Sequence, residues 1–393
     1  MTGGFFMNRE FAMLKPLLLI TAIFFTAHSS AKLDTLPEEF ADFGLDSDLT
    51  ISYGDLDQLL KITVIDLGRS DRGFRKGQSG IGTRTRAHKN NDTALEANRF
   101  YYEEVVKANL KTGFKKIRLS LEQVPEQIPL NELVLSEQLA YWLNLYTTAL
   151  LEKLIEHYPI FSTEDLLFGD NSLLDEEFIT VMGHSLSLND IQHNIVFKKF
   201  GKNKPIVMYG FHQGNIGSPN LRPEAYVGSK VYYQLADNGE EFVNSNRGMQ
   251  IKGKNRLYLS VYYQQTEALF DDFEQDLKSH IEHYTNGSLK DAVESSKGFK
   301  LTIDDWHIVD LYRTHRAYGA SSAINRAALE GIGGMTYGYR AADGSYITDP
   351  LTKRLAQFGR YPPQVWKKIR KLYKQRERIK GTVEIKDLDV NQE

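Results

Sequence analysis

A short polar loop near the middle of the chain carries residue types that could perform chemistry. The run from His212 to Ser218 (HQGNIGS) follows the apolar segment Ile206–Phe211, which reads as a strand, and it is closed by Pro219. Glycines let backbone N–H groups approach an anion or an oxyanion closely, and ligands often bind where strands end. The pattern predicts a binding or catalytic loop, and a tight turn is the alternative interpretation.

Ser218 is the candidate nucleophile of this loop, and His193 and His212 are the candidate bases. A histidine within hydrogen-bond reach of a serine hydroxyl can remove its proton. His193 shares a predicted helix with Val196 and Phe197, so a buried structural role is the alternative for it. No Gly-x-Ser-x-Gly elbow surrounds Ser218. The sequence therefore leaves open whether the protein is an enzyme.

No motif indicates a metal or another cofactor. His280 and His283 would share a helix face, but the neighbouring Asp276 and Glu282 indicate a solvated surface, and no His-Glu-x-x-His motif occurs. The glycine-rich basic segment Gly68–Asn91 lacks the preceding strand and the Lys–Ser/Thr pair of a phosphate-binding loop. We expect no metal and no cofactor, although anion binding by this segment stays open.

The elements that position the loop are predicted from hydrophobic periodicity. The clearest helix runs from Ser136, a good N-cap, to Tyr158, with Pro159 as its stop. Asn144 is a polar residue within this apolar helix, where it either hydrogen-bonds the loop or caps a buried backbone group. The other predicted elements are helices at Tyr53–Leu67, Ala94–Thr112, Leu188–Phe200, Phe273–Tyr284 and Asp304–Arg316, a hairpin at Phe178–Leu186, and a strand at Leu257–Val261.

These intermixed elements predict an α+β fold. We expect a single mixed domain in which a short β-sheet packs with several helices, followed by a basic C-terminal helix. The chain has 393 residues, a net charge of −3 and no cysteine. The near balance of charge argues against a nucleic-acid binder, which usually shows a basic footprint. The lack of cysteine excludes disulfides, thiolate metal ligands and a cysteine nucleophile.

The N-terminus reads as a cleavable secretory signal. Arg9 and Lys15 precede the apolar run Leu17–Ala27, and Ser29-Ser30-Ala31 supplies small residues for cleavage after Ala31. A membrane-spanning helix needs about 20 apolar residues, so we expect no transmembrane anchor after cleavage. The pattern predicts an exported protein, periplasmic or secreted, of a Gram-negative bacterium. A buried N-terminal helix is the alternative.

The C-terminal segment reads as a basic amphipathic helix beginning near Pro362. It would either lie on an anionic membrane surface or dock its apolar stripe on the domain. Its stripe comprises Val365, Trp366, Ile369, Leu372 and Tyr373. We therefore expect a signal peptide at 1–31, an exposed lead-in at 32–50, the main domain at 51–320 and a C-terminal extension at 321–393.

Several short motifs follow one another along the main domain between Tyr53 and Asp310. They are Tyr141–Tyr146 (YWLNLY), Leu186–His193 (LSLNDIQH), Lys204–Pro219 (KPIVMYGFHQGNIGSP), Phe242–Asn244 with Arg247-Gly248, Leu257–Ser260 (LYLS) and the pair Asp305-Trp306. By the order and spacing of these motifs, this part of the chain resembles a known family, the domain of unknown function 547.

The chain departs from the usual pattern of that family at its most distinctive positions. The family loop carries two cysteines, where this chain has Gln213 and Ser218, and a preceding histidine, where this chain has Met208. The family asparagine after the helix tyrosine is Thr147. The chain therefore resembles a cysteine-free branch with a Gly-x-Ile-Gly-Ser-Pro loop, and a cysteine-based site does not carry over.

Three functions remain open on this basis. The first is an uncharacterised exported domain that binds an envelope ligand or protein through residues 212–219. The second is a cysteine-independent hydrolase or transferase using Ser218 and a histidine base, and the third is an adaptor attached to anionic lipid by the basic helix. The residues that we expect to contact a ligand are Asn144, Gln213, Gly214, Asn215, Gly217 and Arg247.

Overall fold

The structure is a computed structural model that describes residues 36–72, 93, 96–253, 256–311, 371 and 374. The described residues belong to one unit, 33–393. The predicted signal peptide, the glycine-rich segment beyond Arg72 and nearly all of the basic C-terminal helix lie outside the described residues.

Ten α-helices occur in the described ranges, and short 3-10 helices connect several of them. The α-helices are α1 (Glu38–Ala41), α2 (Gly54–Thr63), α3 (Tyr102–Lys107), α4 (Lys111–Gln127), α5 (Leu135–His157), α6 (Glu164–Phe168), α7 (Lys198–Phe200), α8 (Val231–Val243), α9 (Phe273–Tyr284) and α10 (Ser288–Glu294). The 3-10 helices are Leu130–Glu132, Pro205–Gly210, Gly228–Lys230 and Val261–Leu269, and a π-helix spans Asp190–Phe197.

Seven short strands form three separate small sheets in the same ranges. The strands are β1 (Val64–Ile65), β2 (Arg99–Phe100), β3 (Ile179–Val181), β4 (His184–Leu186), β5 (Met249–Lys252), β6 (Arg256–Ser260) and β7 (Phe299–Ile303). β1–β2 and β3–β4 pair antiparallel, and β6 pairs antiparallel with β5 and parallel with β7. The α+β class is confirmed, with the expected sheet divided into three.

Helix α5 forms the centre of the core. Almost every residue from Glu137 to Ile155 is buried, because the helix is apolar on nearly all sides. Trp142 packs edge-on against Phe40 at 5.1 Å between ring centroids. The helix begins at Leu135 without a side-chain cap, so the prediction of Ser136 as its N-cap is wrong.

Several local predictions agree with the structure. The hairpin turns at Gly183, where φ is +80°, and α9 has the predicted bounds. The Ser187 hydroxyl donates to Asp190 (2.6 Å) and accepts from its backbone N–H (3.0 Å), which closes the predicted helix start. The helix that follows is a π-helix until Phe197 and an α-helix only from there to Phe200.

The predicted strand Ile206–Phe211 is wrong, because Pro205–Gly210 is a 3-10 helix. An apolar run that is buried on all sides does not distinguish a strand from a helical turn by its periodicity. Pro205 lies at the first helical position, which favours a helical start. The loop at His212 therefore follows a helical turn.

The predicted helix Asp304–Arg316 is also wrong in its described part. Residues 304–310 are not helical, and isolated bridges pair His307 with Ser162, Ile308 with Asn215 and Asp310 with Phe100. Residues 312–316 lie outside the described residues.

Two other predicted helices are shorter than expected, and the lead-in is not wholly exposed. Tyr53–Leu67 contains α2 followed by β1, and the described part of Ala94–Thr112 contains β2 before α3. Within the lead-in, Phe40 is fully buried against α5.

Candidate functional site

The loop from His212 to Ser218 lies inside the domain. All of its residues are buried. Gly214 adopts a φ of +68°, and a Cβ atom there would come within 2.2 Å of the Leu154 side chain on α5. The positive φ and this close approach together require glycine. The loop is therefore packed against the central helix and is not an open surface.

One side of the loop pairs with residues 305–310, which we call the central segment. The Gly217 N–H donates to the Asp305 carbonyl (2.8 Å) and the Ile216 N–H to the His307 carbonyl (3.0 Å). In return, the Val309 N–H donates to the Gly214 carbonyl (2.9 Å). The loop thus fixes the position of the central segment through three backbone hydrogen bonds.

The Ser218 hydroxyl closes the loop on itself. It donates to the Asn215 carbonyl (3.0 Å) and accepts from the Gln213 N–H (3.0 Å). Both hydrogen bonds of the hydroxyl go to loop backbone, with neither candidate histidine as its partner. This geometry assigns Ser218 a turn-stabilising role, and it does not bring together the predicted pair of a serine nucleophile and a histidine base.

His212 and His193 lie in apolar surroundings. His212 is 3% exposed, neither of its ring nitrogens has a hydrogen-bond partner, and burial lowers its pKa to about 3. His193 is half-buried with its ring edge-on to Phe197 at 5.1 Å. Burial lowers the pKa of His193, and the carboxylate of Asp175 opposes that shift. Both imidazoles therefore favour the neutral form.

The acid sensitivity of folding provides a test of the His212 environment. Its pKa is about 3 when folded and about 6.5 when unfolded, so the unfolded chain binds the extra proton. The stability that His212 contributes is present above about pH 6.5 and falls by about 1.4 kcal/mol per unit down to about pH 3. We expect urea titrations to show this loss relative to His212→Leu. Parallel pH profiles of the two proteins would contradict it.

Gln213 and Asn215 each retain one buried acceptor without a partner. The Gln213 amide donates to Gln265 (2.5 Å) and that of Asn215 to Thr163 (3.1 Å). The side-chain oxygens Oε1 and Oδ1 make no hydrogen bond. Buried acceptors of this kind commonly bind ordered water.

Asn144 and Arg247 are the two predicted ligand-binding residues outside the loop. The Asn144 amide exchanges two hydrogen bonds with the backbone of Tyr226, at 2.8 and 2.9 Å. Arg247 is fully buried and paired with the Glu241 carboxylate, and its Nε–H donates to the Ser218 carbonyl (3.4 Å). Both side chains connect buried parts of the domain, a role that sequence alone left open for Asn144.

The central segment carries an oriented histidine that the sequence did not reveal. His307 Nδ1 lies 2.7 Å from Oδ1 of Asp305, a carboxylate that is almost fully buried. The second oxygen of Asp305 accepts from the Thr93 hydroxyl (2.5 Å). The hydrogen bond that Asp305 accepts from His307, together with the charge of the carboxylate, raises the pKa of His307 against the effect of burial. The imidazole is one-third exposed.

The other edge of the central segment pairs with residues 161–163. The Thr163 N–H donates to the Trp306 carbonyl (2.9 Å) and the Ile308 N–H to the Phe161 carbonyl (3.1 Å). Ser162 and His307 are directly opposed between these two bonds. In such a non-hydrogen-bonded antiparallel pair the two side chains lie on the same face and close together.

Two aromatic pairs lie where residues 161–168 meet the central segment. Phe161 contacts His307 (4.9 Å) and Phe168 contacts Trp306 (5.1 Å), both between ring centroids. Phe161 is 58% exposed and Phe168 43%. We call these four residues the aromatic edge. The buried loop therefore holds a segment whose other side presents aromatic rings to solvent.

One comparison with known proteins finds a family match over part of the chain. Residues 130–243 match the family model described as "Protein of unknown function, DUF547". The motifs within these residues therefore match this family, as their resemblance predicted, and the matched range contains α5, the loop and α8. It ends before Arg247 and Asp305. No curated protein and no solved structure matches the chain.

Two other features, a membrane-spanning helix and a metal centre, are absent from the described residues. None of their helices is both long and apolar enough to cross a membrane. They also contain no group of three or more His, Cys, Asp or Glu side chains that could hold a metal ion. His280 lies against Tyr209, with 5.6 Å between ring centroids, instead of on a solvated face.

Proposed function

We propose that this protein is an exported binding domain whose ligand is a glycan and whose contact surface is the aromatic edge. The supporting observation is the exposure of Phe161 and Phe168 beside Trp306 and His307 on a segment fixed by the buried loop. In this proposal the loop at 212–219 serves binding by positioning that segment. Export itself is the prediction made from residues 1–31.

The chemistry of the aromatic edge favours a glycan over a protein partner. The faces of aromatic rings carry partial negative charge, which attracts the weakly positive C–H groups of a sugar ring. Glu164, Asp165 and Asp304 are exposed neighbours in sequence, and their carboxylates can accept hydrogen bonds from sugar hydroxyls. Protein interfaces are depleted of Asp and Glu, and anionic lipid would be repelled by the same carboxylates.

The alternative of a Ser218 hydrolase receives less support. Its nucleophile would have to give up both of the backbone hydrogen bonds that close the loop. The site residues would also have to become accessible, since Gln213 and Ser218 are almost fully buried.

The aromatic edge can be tested by removing its two exposed rings. We expect Phe161→Ala/Phe168→Ala to weaken binding at least about tenfold, since each buried aromatic contact contributes of the order of 1 kcal/mol. Binding is measured by co-sedimentation with purified sacculi and by tryptophan fluorescence with soluble chito-oligosaccharides and other oligosaccharides.

The matched control is Tyr233→Ala, because Tyr233 is a 75% exposed aromatic residue on α8. This variant should bind as the unmodified protein does. If the unmodified protein binds none of the saccharides, the glycan proposal fails. If the double variant and Tyr233→Ala bind equally well, the contact surface lies elsewhere.

A further inference from the structure

We infer that Ser162, His307 and Asp305 form a hydrolytic site for acyl esters on sugar hydroxyls, at the aromatic edge. This inference rests on the proposed glycan surface for its substrate class. Three observations carry it. Ser162 pairs with His307 across the two segments, His307 is hydrogen-bonded to Asp305, and solvent reaches Ser162 and part of His307. Ser162, His307 and Asp305 were not among the catalytic residues predicted from sequence.

The pairing sets the backbone of Ser162 directly opposite that of His307. Opposed residues of an antiparallel pair have Cβ atoms roughly 4.5–5.5 Å apart, and the pair at Ser162 and His307 is of the closer, non-hydrogen-bonded kind. Rotation of the Ser162 side chain can then bring its hydroxyl to the ~2.6–3.2 Å from Nε2 of His307 that proton transfer needs. Ser162 is exposed, and its oxygen accepts one hydrogen bond, from the Glu164 N–H (3.2 Å).

Asp305 determines which imidazole nitrogen faces the serine. An ionised carboxylate only accepts hydrogen bonds, so Nδ1 of His307 donates to Asp305 and Nε2 is the ring nitrogen that can accept a proton. The extended backbone makes this possible, because residues two apart lie on the same face of a strand. The Thr93 hydroxyl and the His307 N–H also donate to Asp305. The carboxylate is therefore fixed and in turn orients the ring.

The reaction begins when Ser162 Oγ attacks the ester carbonyl carbon and its proton passes to His307 Nε2. The tetrahedral intermediate collapses with cleavage of the bond to the sugar oxygen, which takes the proton from Nε2 and leaves as the free hydroxyl. Water then attacks the acyl-serine, giving one proton to Nε2 and its oxygen to the acyl carbon. Collapse releases the carboxylic acid, and Ser162 recovers the proton. The sum is ester plus water giving acid plus alcohol.

Esters fit the observed groups better than amides do. An alcohol leaves more readily than an amine, so an ester places a smaller demand on a site that is open to solvent. An acyl group attached to a sugar would lie beside His307 while the ring rests on Phe161. The site would therefore act on substituents that project from a bound glycan.

The test is release of acetate from an O-acetylated polysaccharide by the purified protein, together with labelling by a fluorophosphonate probe. We expect Ser162→Ala to lower turnover at least about 100-fold and to abolish the label, which mass spectrometry should map to Ser162. Ser185→Ala is the control, since Ser185 is an exposed serine on β4. It should leave both readouts unchanged.

Asp305 is tested as a positioning residue through the pH profile. Because Asp305 raises the pKa of His307, turnover should rise as the pH passes above 6.5 and the imidazole loses its proton. Asp305→Asn should lower turnover at least about tenfold and move this rise to lower pH. Circular dichroism establishes that the variant is folded.

Binding separates failure of this inference from failure of the proposed function. If Ser162→Ala retains full turnover, if the label maps to another residue, or if the unmodified protein releases no acetate, the hydrolytic site is wrong. If the same protein still co-sediments with sacculi, glycan binding stands without it. If turnover requires Ser162 but Phe161→Ala/Phe168→Ala binds and turns over normally, the aromatic edge is wrong and the hydrolytic site remains.

Discussion

Replacement of Arg247 by methionine is expected to lower the free energy of unfolding by about 3–5 kcal/mol. Arg247 is fully buried, and two of its guanidinium N–H groups donate to the Glu241 carboxylate. The variant leaves that carboxylate in the interior without its partner. It also removes the positive charge that lowers the pKa of Glu96, which burial otherwise raises. Urea denaturation followed by circular dichroism measures the change.

The control for Arg247 is an ion pair of similar chemistry at the surface. Arg69 donates two hydrogen bonds to Glu240, but its side chain is 58% exposed. Arg69→Met should therefore cost at most about 1 kcal/mol. The double variant Arg247→Met/Glu241→Met should recover part of the loss, since it removes the unpaired charge.

A small change in stability would instead support the prediction from sequence that Arg247 contacts a ligand. If Arg247→Met changes stability by less than about 1 kcal/mol and instead weakens saccharide binding, Arg247 contacts the ligand. The structure argues against this, because the Arg247 side chain has no exposed surface.

Local patterns in the sequence were enough to predict much of the fold. α5 and α9 follow from their periodicity, and the β3–β4 hairpin follows from its turn at Gly183. In each case the information lies within a few neighbouring residues. The motifs between Tyr141 and Pro219 likewise predicted the family match that the comparison finds at residues 130–243.

The positions of the candidate site residues depended on contacts between distant parts of the chain. The loop was recognised as polar and glycine-bearing, but its burial results from packing against α5 and from pairing with residues 305–309, about ninety positions later. Ser162 and His307 are likewise brought together only by tertiary structure. No local pattern reveals such a pairing.

The wrong helix at Asp304–Arg316 had a direct consequence for the site. On a helix, residues two apart face different directions, so Asp305 and His307 would not meet. On the extended backbone that the structure shows, they share a face and hydrogen-bond at 2.7 Å. The spacing Asp-x-His was therefore visible in the sequence, but it has chemical meaning only with the correct secondary structure.

Gly214→Ala is expected to destabilise the protein by about 2–5 kcal/mol, for two independent reasons. An L-residue in the left-handed region costs about 1–2 kcal/mol, and φ at Gly214 is +68°. The new methyl group would also lie 2.2 Å from Leu154 Cδ1, and overpacking of a core typically costs about 1–3 kcal/mol. Urea denaturation measures the total.

Gly183→Ala separates the two contributions. Gly183 has a φ of +80°, but nothing lies within 4 Å of a Cβ atom there, so only the backbone term applies and the loss should be about 1–2 kcal/mol. A larger effect at Gly214 than at Gly183 is thus the steric contribution of Leu154, and equal effects would show that α5 does not restrain the loop.

Gly214→Ala also tests whether the loop transmits its position to the ligand surface. The Gly214 carbonyl accepts the Val309 N–H (2.9 Å), so displacement of the loop moves the segment that carries Trp306 and His307. Among molecules that remain folded, saccharide affinity should fall for Gly214→Ala and stay unchanged for Gly183→Ala. Unchanged affinity in a destabilised Gly214→Ala protein would mean that the aromatic edge is positioned without the loop.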